Sequence, residues 1–146
     1  MLVAAAFWRP GDPVVSVDEV MERPELAHYV AGWPRPGDQG VIAQDVQPIG
    51  AAWLRLFSQD DPGFGFVDEQ SPELAMAVVP QWRGRGVGAA LLREVTAQAA
   101  EAGVAGISLS VDLQNDAARL LYERFGFRPV REGDGSLTML LRLSAG

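Results

Sequence analysis

Apolar and polar positions change period along the 146-residue chain, and each change marks an element. Residues 41–44 and 49–57 carry the short, β-branched and aromatic runs of strands, with residues 45–48 (DVQP) as the turn between them. After a polar, glycine-containing loop, residues 64–67 and 74–79 predict two further strands. The period then lengthens. Over 88–102, Leu91, Leu92, Val95 and Ala99 recur at helical spacing and predict one apolar face. Residues 106–112 alternate as a strand does, and 115–125 read as a second amphipathic helix ended by Gly126. Residues 127–130 and 137–143 predict a closing pair of strands around the turn sequence EGDGS. Upstream the pattern is helical: an Ala-rich stretch over 1–9, a capping-box sequence from Ser16 to Glu19, and a helix restarting at Pro24. That last helix runs through Leu26, Tyr29 and Val30 and stops near Gly32. The chain shows no internal repeat, long linker or low-complexity tract, and its length fits a single domain over 1–146.

Composition narrows the chemistry. The chain is 48% hydrophobic and 21% charged, the balance of a globular protein. Its net charge of −7 argues against a nucleic-acid partner, whose phosphates call for a basic face. With no cysteine there is neither disulfide nor thiolate chemistry, and a reducing compartment fits. A single histidine, His28, excludes a multi-histidine metal site, and its place in a predicted helix makes it a solvent-facing residue. The opening MLVAAAFWRP lacks a basic segment and is too short for a signal sequence with its cleavage site. Nothing downstream approaches a membrane span, so a cytoplasmic protein with no membrane partner is expected.

Residues 78–92 read VVPQWRGRGVGAALL, with Arg83, Gly84, Arg85, Gly86 and Gly88 packed between a strand and a helix. Glycine at that density favours neither element. One reading is a tight turn using glycine for positive φ, for which one glycine would suffice. A second is a phosphate cradle, in which bare backbone lets an anion reach the unpaired amides of a helix N-terminus. A nucleotide triphosphatase loop is excluded because no Lys-Ser or Lys-Thr follows the glycines. Gly84-x-Gly86-x-x-Ala89 matches a dinucleotide fingerprint, with Asp112 as its acid, but Pro80–Arg83 stands between strand and glycine. The first half of the chain also lacks βαβ alternation.

A third reading takes in more residues. Val78, Pro80, Arg83, Gly84, Gly86 and Gly88, followed one strand later by Asn115, Ala118, Tyr122, Gly126 and Phe127, resemble the GNAT superfamily of N-acetyltransferases. The match is strongest over about 73–130, and FGFVDEQSPELAMAV looks like a bacterial subgroup mostly unassigned to a substrate. The resemblance implies an α/β (α+β) fold with a mixed, mostly antiparallel, splayed sheet flanked by helices. It implies acetyl-CoA as co-substrate, a primary amine as acceptor, and no metal. Pyrophosphate would lie on the amides of Arg83, Gly84, Arg85, Gly86, Val87, Gly88 and Ala89. Backbone groups of Met76, Ala77 and Val78 would pair with pantetheine like an added strand. An N–H near Val78 would stabilise charge on the thioester oxygen.

Asn115 reads as an N-cap, and in family members the matching residue also contacts pantetheine. Tyr122 is either a core aromatic beside Phe125 or, by resemblance, the acid that protonates the leaving thiolate. Some relatives place a glutamate where this chain has Ser110. Glu73 is then the candidate base, acting directly or through water, with a solvated strand-end residue as the alternative. Relatives begin with a strand before the first helix, and by resemblance this sequence is expected to start inside that helix, with either the strand absent or the start shortened relative to relatives. A missing first strand would expose a sheet edge and favour a homodimer. The acceptor side would draw on the N-terminal helices and residues 53–57, with Trp33, Phe64 and Phe66 as walls. Asp60, Asp61, Asp68 and Glu69 read as a solvated acidic loop or as a surface receiving a cationic acceptor. The reading from another class is a non-catalytic acyl-CoA-binding or sensing module on the same fold.

Overall fold

The computed structural model describes residues 28–31, 34–44 and 48–143. Its elements run β1 (Gln39–Gln44), β2 (Pro48–Arg55), β3 (Glu73–Val78), a 3-10 turn (Pro80–Trp82), α1 (Val87–Glu101), β4 (Gly106–Asp112), α2 (Asp116–Arg124), β5 (Arg128–Gly133) and β6 (Ser136–Arg142). The strands form one sheet in the order β1-β2-β3-β4-β6-β5. Every neighbouring pair is antiparallel except β3 and β4, which run parallel. That parallel pair touches at one register position, Glu73 against Ser108, closed by the Ser108 amide on the Pro72 carbonyl at 3.0 Å. Beyond it no register position joins them, which leaves β3 and β4 unpaired toward Val78 and Asp112. The mixed, mostly antiparallel, splayed sheet expected from the sequence is present.

The predicted helical period sets the packing of α1. Leu91, Leu92, Val95 and Ala99 are its buried residues, meeting Leu54 and Ala52 of β2 and Leu74 of β3 in the core. The helix stops where Gly103 takes φ 79, and the Val104 amide reaches back to the Ala99 carbonyl at 3.0 Å. Tyr122 and Phe127 close the core from the α2 side, in one cluster with Ile107 and Leu109 of β4 and Met139 of β6. The EGDGS turn carries Asp134 and Gly135 at φ 52 and 76, the left-handed pair that joins β5 to β6.

The strand expected over 64–67 is absent. Its backbone is satisfied elsewhere: the Phe64 amide donates to the Tyr29 hydroxyl at 2.9 Å and the Phe66 amide to Gly63 at 3.2 Å. The Phe66 carbonyl accepts from Arg131 at 2.7 Å. Gly65 lies so close over the peptide joining Leu109 to Ser110 that a Cβ there would collide with it. The segment is a loop laid on the face of β4. The helix expected from Pro24 to Gly32 is described only at 28–31, which form a turn. The Ala-rich stretch, the capping box, the question of a first strand, Trp33 and residues 45–47 of the turn expected over 45–48 lie outside the described residues, while Pro48 opens β2 instead of closing that turn.

Candidate functional site

Two clusters flank the gap between β3 and β4. The first is the glycine loop. Gly84 and Gly86 take φ 76 and 84, and a Cβ at either would meet nothing within 4 Å, so their outer face is open. Gly86 is the N-cap of α1, and the first helical bond returns from Ala90 to its carbonyl at 3.1 Å. The amides of the first turn therefore point out of the helix unpaired, at its electropositive end. Gly88 has a different role: a Cβ would crowd Leu121 Cδ2 at 3.2 Å and Met76 Cε at 3.5 Å. It lets the start of α1 settle against both β3 and α2.

The arginines split. Arg83 Nε donates to the Val78 carbonyl at 3.0 Å and its amide to Pro80 at 3.3 Å, which ties the loop to the end of β3. Arg85 is exposed, with its guanidinium 5.1 Å from the Trp82 ring centroid. The Val79 amide donates to Ile49 of β2 at 2.8 Å. By strand alternation the amides of Val78 and Met76 then face the gap, while that of Ala77, opposite Ala51, faces β2. Of the backbone groups expected to receive pantetheine, Met76 and Val78 are oriented for it and Ala77 is turned away.

Asn115 is the N-cap of α2, its Oδ1 accepting the Ala118 amide at 3.3 Å. Tyr122 follows on the buried side of that helix, its ring 5.7 Å from Phe127. Burial pushes its hydroxyl up to about 12. The phenol therefore keeps its proton at any working pH. Ser110, at the position where some relatives carry a glutamate, is half-buried on β4.

The second cluster surrounds Glu73, which is 3% exposed. The Tyr29 hydroxyl donates to Glu73 Oε2 at 2.5 Å and accepts the Phe64 amide. Oε1 lies under Gly63, where a Cβ would collide with it, and makes no hydrogen bond among the described residues. Burial pushes the Glu73 carboxyl up, opposed by the Tyr29 hydroxyl, the nearby Gly65 amide and His28. Burial, with the adjoining carboxylate, pushes the Tyr29 hydroxyl up as well. A solvated strand-end residue would show none of this. A raised carboxyl favours the protonated fold, so its contribution is present below the ordinary value of 4.5 and lost as pH rises through the shifted one. Glu73→Gln should therefore melt higher than the parent above that range, by about 1–3 kcal/mol at pH 8. Thermal melts from pH 4 to 9 check it: curves that stay parallel would mean the carboxylate is not stressed.

His28 corrects an expectation. Its side chain is 12% exposed, packed on Tyr29 and Phe57 with ring centroids 4.7 and 4.8 Å away. Its Nδ1 is 2.8 Å from Asp61 Oδ1. Arg55 and Asp38, which sequence reasoning passed over, hold this segment down. The Arg55 guanidinium grips Asp38 at 2.6 and 3.0 Å and donates to the carbonyls of Ala31 at 2.6 Å and His28 at 3.1 Å. Burial alone would raise Asp38, but the Arg55 hydrogen bonds, the Arg35 amide and both guanidinium charges hold its carboxyl below the usual range. The Trp53 indole adds a bond to the Tyr29 carbonyl at 3.2 Å, so Trp53 supports this segment from the core.

Three similarities bear on this arrangement. Over 83 residues the chain is 34% identical to a mycothiol acetyltransferase from Corynebacterium aurimucosum, an alignment covering 57% of the chain but 25% of that relative's length. Its fold matches a PaiA N-acetyltransferase from Thermoplasma acidophilum, solved with coenzyme A, at TM-score 0.59 and 18% identity, over 73% of this chain and 61% of that one. It matches a ribosomal-protein-alanine N-acetyltransferase from Brucella melitensis at TM-score 0.64 and 24% identity, over 90% and 81% of the two chains. The model of the acetyltransferase (GNAT) family matches residues 7–127, and a match of that extent, over a splayed sheet with a glycine loop at its gap, means that the chain belongs to this family.

Proposed function

We propose that the chain transfers an acetyl group from acetyl-CoA to a primary amine by direct attack. The observation that carries this is the gap between β3 and β4, with the unpaired amides of α1 at one end and Tyr122 on the helix beside it. The residues fit the co-substrate: Gly84 and Gly86 leave open backbone where pyrophosphate would lie, and Met76 and Val78 face the gap that pantetheine would fill. Acetyl-CoA supplies the activated acetyl group. In this reading Gly86, Val87, Gly88 and Ala89 hold phosphate through their amides and Arg85 adds charge, while Asn115 caps α2 and meets pantetheine. The Val78 amide polarises the thioester carbonyl, Tyr122 protonates the departing sulfur, and Glu73, roughly 16 Å away at the other end of β3, takes the amine's proton through intervening water. One relative is named for a small molecule and another for a protein alanine, so both acceptor classes belong in the first panel.

Calorimetric titration with acetyl-CoA tests the first half. The native chain should bind, and Gly86→Glu should bind at least about tenfold more weakly, because its carboxylate meets the phosphate. Gly86→Ala controls for backbone strain at φ 84, since it adds a Cβ without charge. Equal loss in both variants would mean the loop's shape, and not phosphate contact, was damaged. No binding by the native chain would sink the reading. One observation favours the non-catalytic acyl-CoA-binding alternative: the candidate base is closed off beneath Gly63. Binding without turnover across protein N-termini, amino acids, antibiotics and polyamines would decide for that alternative.

A further inference from the structure

Several buried polar atoms have no partner among the described residues, and three of them belong to one neighbourhood: Glu73 Oε1, Ser108 Oγ and His28 Nε2. Ser108 stands beside Glu73 at the only β3–β4 register position, and the His28 ring packs on Tyr29. Unpaired polar atoms are costly in a core, and a group of them marks a place built for something other than stability. Against this unsatisfied background one bond is short and doubly anchored. Tyr29 donates to Glu73 Oε2 and accepts from the Phe64 amide, while its own carbonyl is held by Trp53.

We propose that Tyr29 is a positioning residue for Glu73: it binds Oε2, turns Oε1 outward from the pair as the atom with a free lone pair, and joins the carboxylate to the 63–66 loop. This rests on the reading of Glu73 as the base. In the step it serves, an N–H bond of the acceptor breaks and an O–H bond forms on Oε1, the proton passing through water along the gap. Tyr29 keeps its own proton throughout. Because Oε1 faces Gly63, the acceptor or that water enters where the loop now lies. The groups around Glu73 are few. Tyr29 and His28 approach from the segment before β1, the Gly65 amide from the loop, and Ser108 from β4. Arg55 lies across from it on β2 but is turned to Asp38, and Asp61 acts only through His28. A hydroxyl donating to a carboxylate favours the ionised form, so Tyr29 holds the proton affinity of Glu73 down against burial.

The test is Tyr29→Phe, which keeps the ring contacts and removes the hydroxyl. Carbon NMR of labelled glutamate, with Glu73 assigned through Glu73→Gln, follows its titration in both proteins. Alongside, the pH profile of kcat/KM is taken with the best amine of the panel. Proton affinity at Glu73 should rise about tenfold, one pH unit. The acidic limb of kcat/KM should move up with it, while the KM for acetyl-CoA stays put. A titration midpoint that does not move overturns the proposal, and so does a midpoint that moves while the limb does not. If the parent protein turns over no amine, the transfer reading fails and the NMR titration alone decides whether Tyr29 governs Glu73. Should Tyr29→Phe not fold, the resonance of the ring carbon bearing the Tyr29 hydroxyl is followed in the parent: a shift at the Glu73 midpoint supports the bond, and a flat trace overturns the proposal.

Discussion

Replacing Arg55 with methionine is expected to remove about 3–5 kcal/mol of folding stability, a large share of the roughly 5–15 kcal/mol a domain has. Arg55 is fully buried, and its partner Asp38 has a side chain only 2% exposed. Methionine fills most of the space but leaves the Asp38 carboxylate without its cation, and two carbonyls of the 28–31 turn lose their donor. Removing one member of a buried pair is what makes the loss large; removing both should not be. Asp38→Leu combined with Arg55→Met is therefore expected to recover much of the loss, which a double-mutant cycle in urea would read directly. The pH dependence has a definite sign. Because the Asp38 carboxyl is held below its ordinary value, its contribution is complete at neutral pH and fades as pH falls through the lowered value. Parent and Arg55→Met should thus draw closer in strong acid, leaving the part that rests on the His28 and Ala31 carbonyls. Identical unfolding midpoints at pH 7 would show that the pair is not holding the segment down. The consequence reaches the site, because the same turn carries Tyr29 to Glu73.

What the sequence disclosed divides along the distance between partners. The α1 face, the extent of β4, the Asn115 cap and the glycine signals rest on spacings within one element, and each is found where periodicity put it. The 64–67 segment alternates like a strand, but its amide and carbonyl are taken by Tyr29 and Arg131, far away in sequence. No local pattern reports such partners. Tyr29 and Glu73 are likewise 44 residues apart, so their bond exists only once β2 and β3 have paired. Arg55 did leave a trace. A lone arginine within AAWLRLF falls, by the two-residue period of a strand, on the face of Trp53 and Ala51. A charge on that buried face demands a buried counter-charge, and Asp38 is the carboxylate that answers it. His28 differs from its expectation for a related reason: its place in a predicted helix points to solvent, whereas the turn folds its ring onto Phe57.

Tyr122→Phe is expected to leave acetyl-CoA affinity near that of the parent and to lower kcat by roughly 10²-fold or more, the lower end of general acid catalysis. The affinity should hold because the ring stays: its contacts are with Phe127 and the core, and the hydroxyl makes no hydrogen bond among the described residues. A phenol at about 12 is at first sight a poor donor to a thiolate, whose proton affinity in water lies nearer 8.5. On the proposed reading burial would reduce the mismatch. What raises Tyr122 is desolvation alone, with no neighbouring charge, and a thiolate forming beside it would be raised by the same cause. Donor and leaving group would then be closer matched in the site than in water. This has a kinetic signature beyond the drop in kcat. An acyl donor whose thiol is more acidic needs less help in leaving, so Tyr122→Phe should slow it less than it slows acetyl-CoA. Equal losses with both donors would place Tyr122 in the packing of α2 and not at the departing sulfur. An unchanged kcat would remove it from the chemistry altogether.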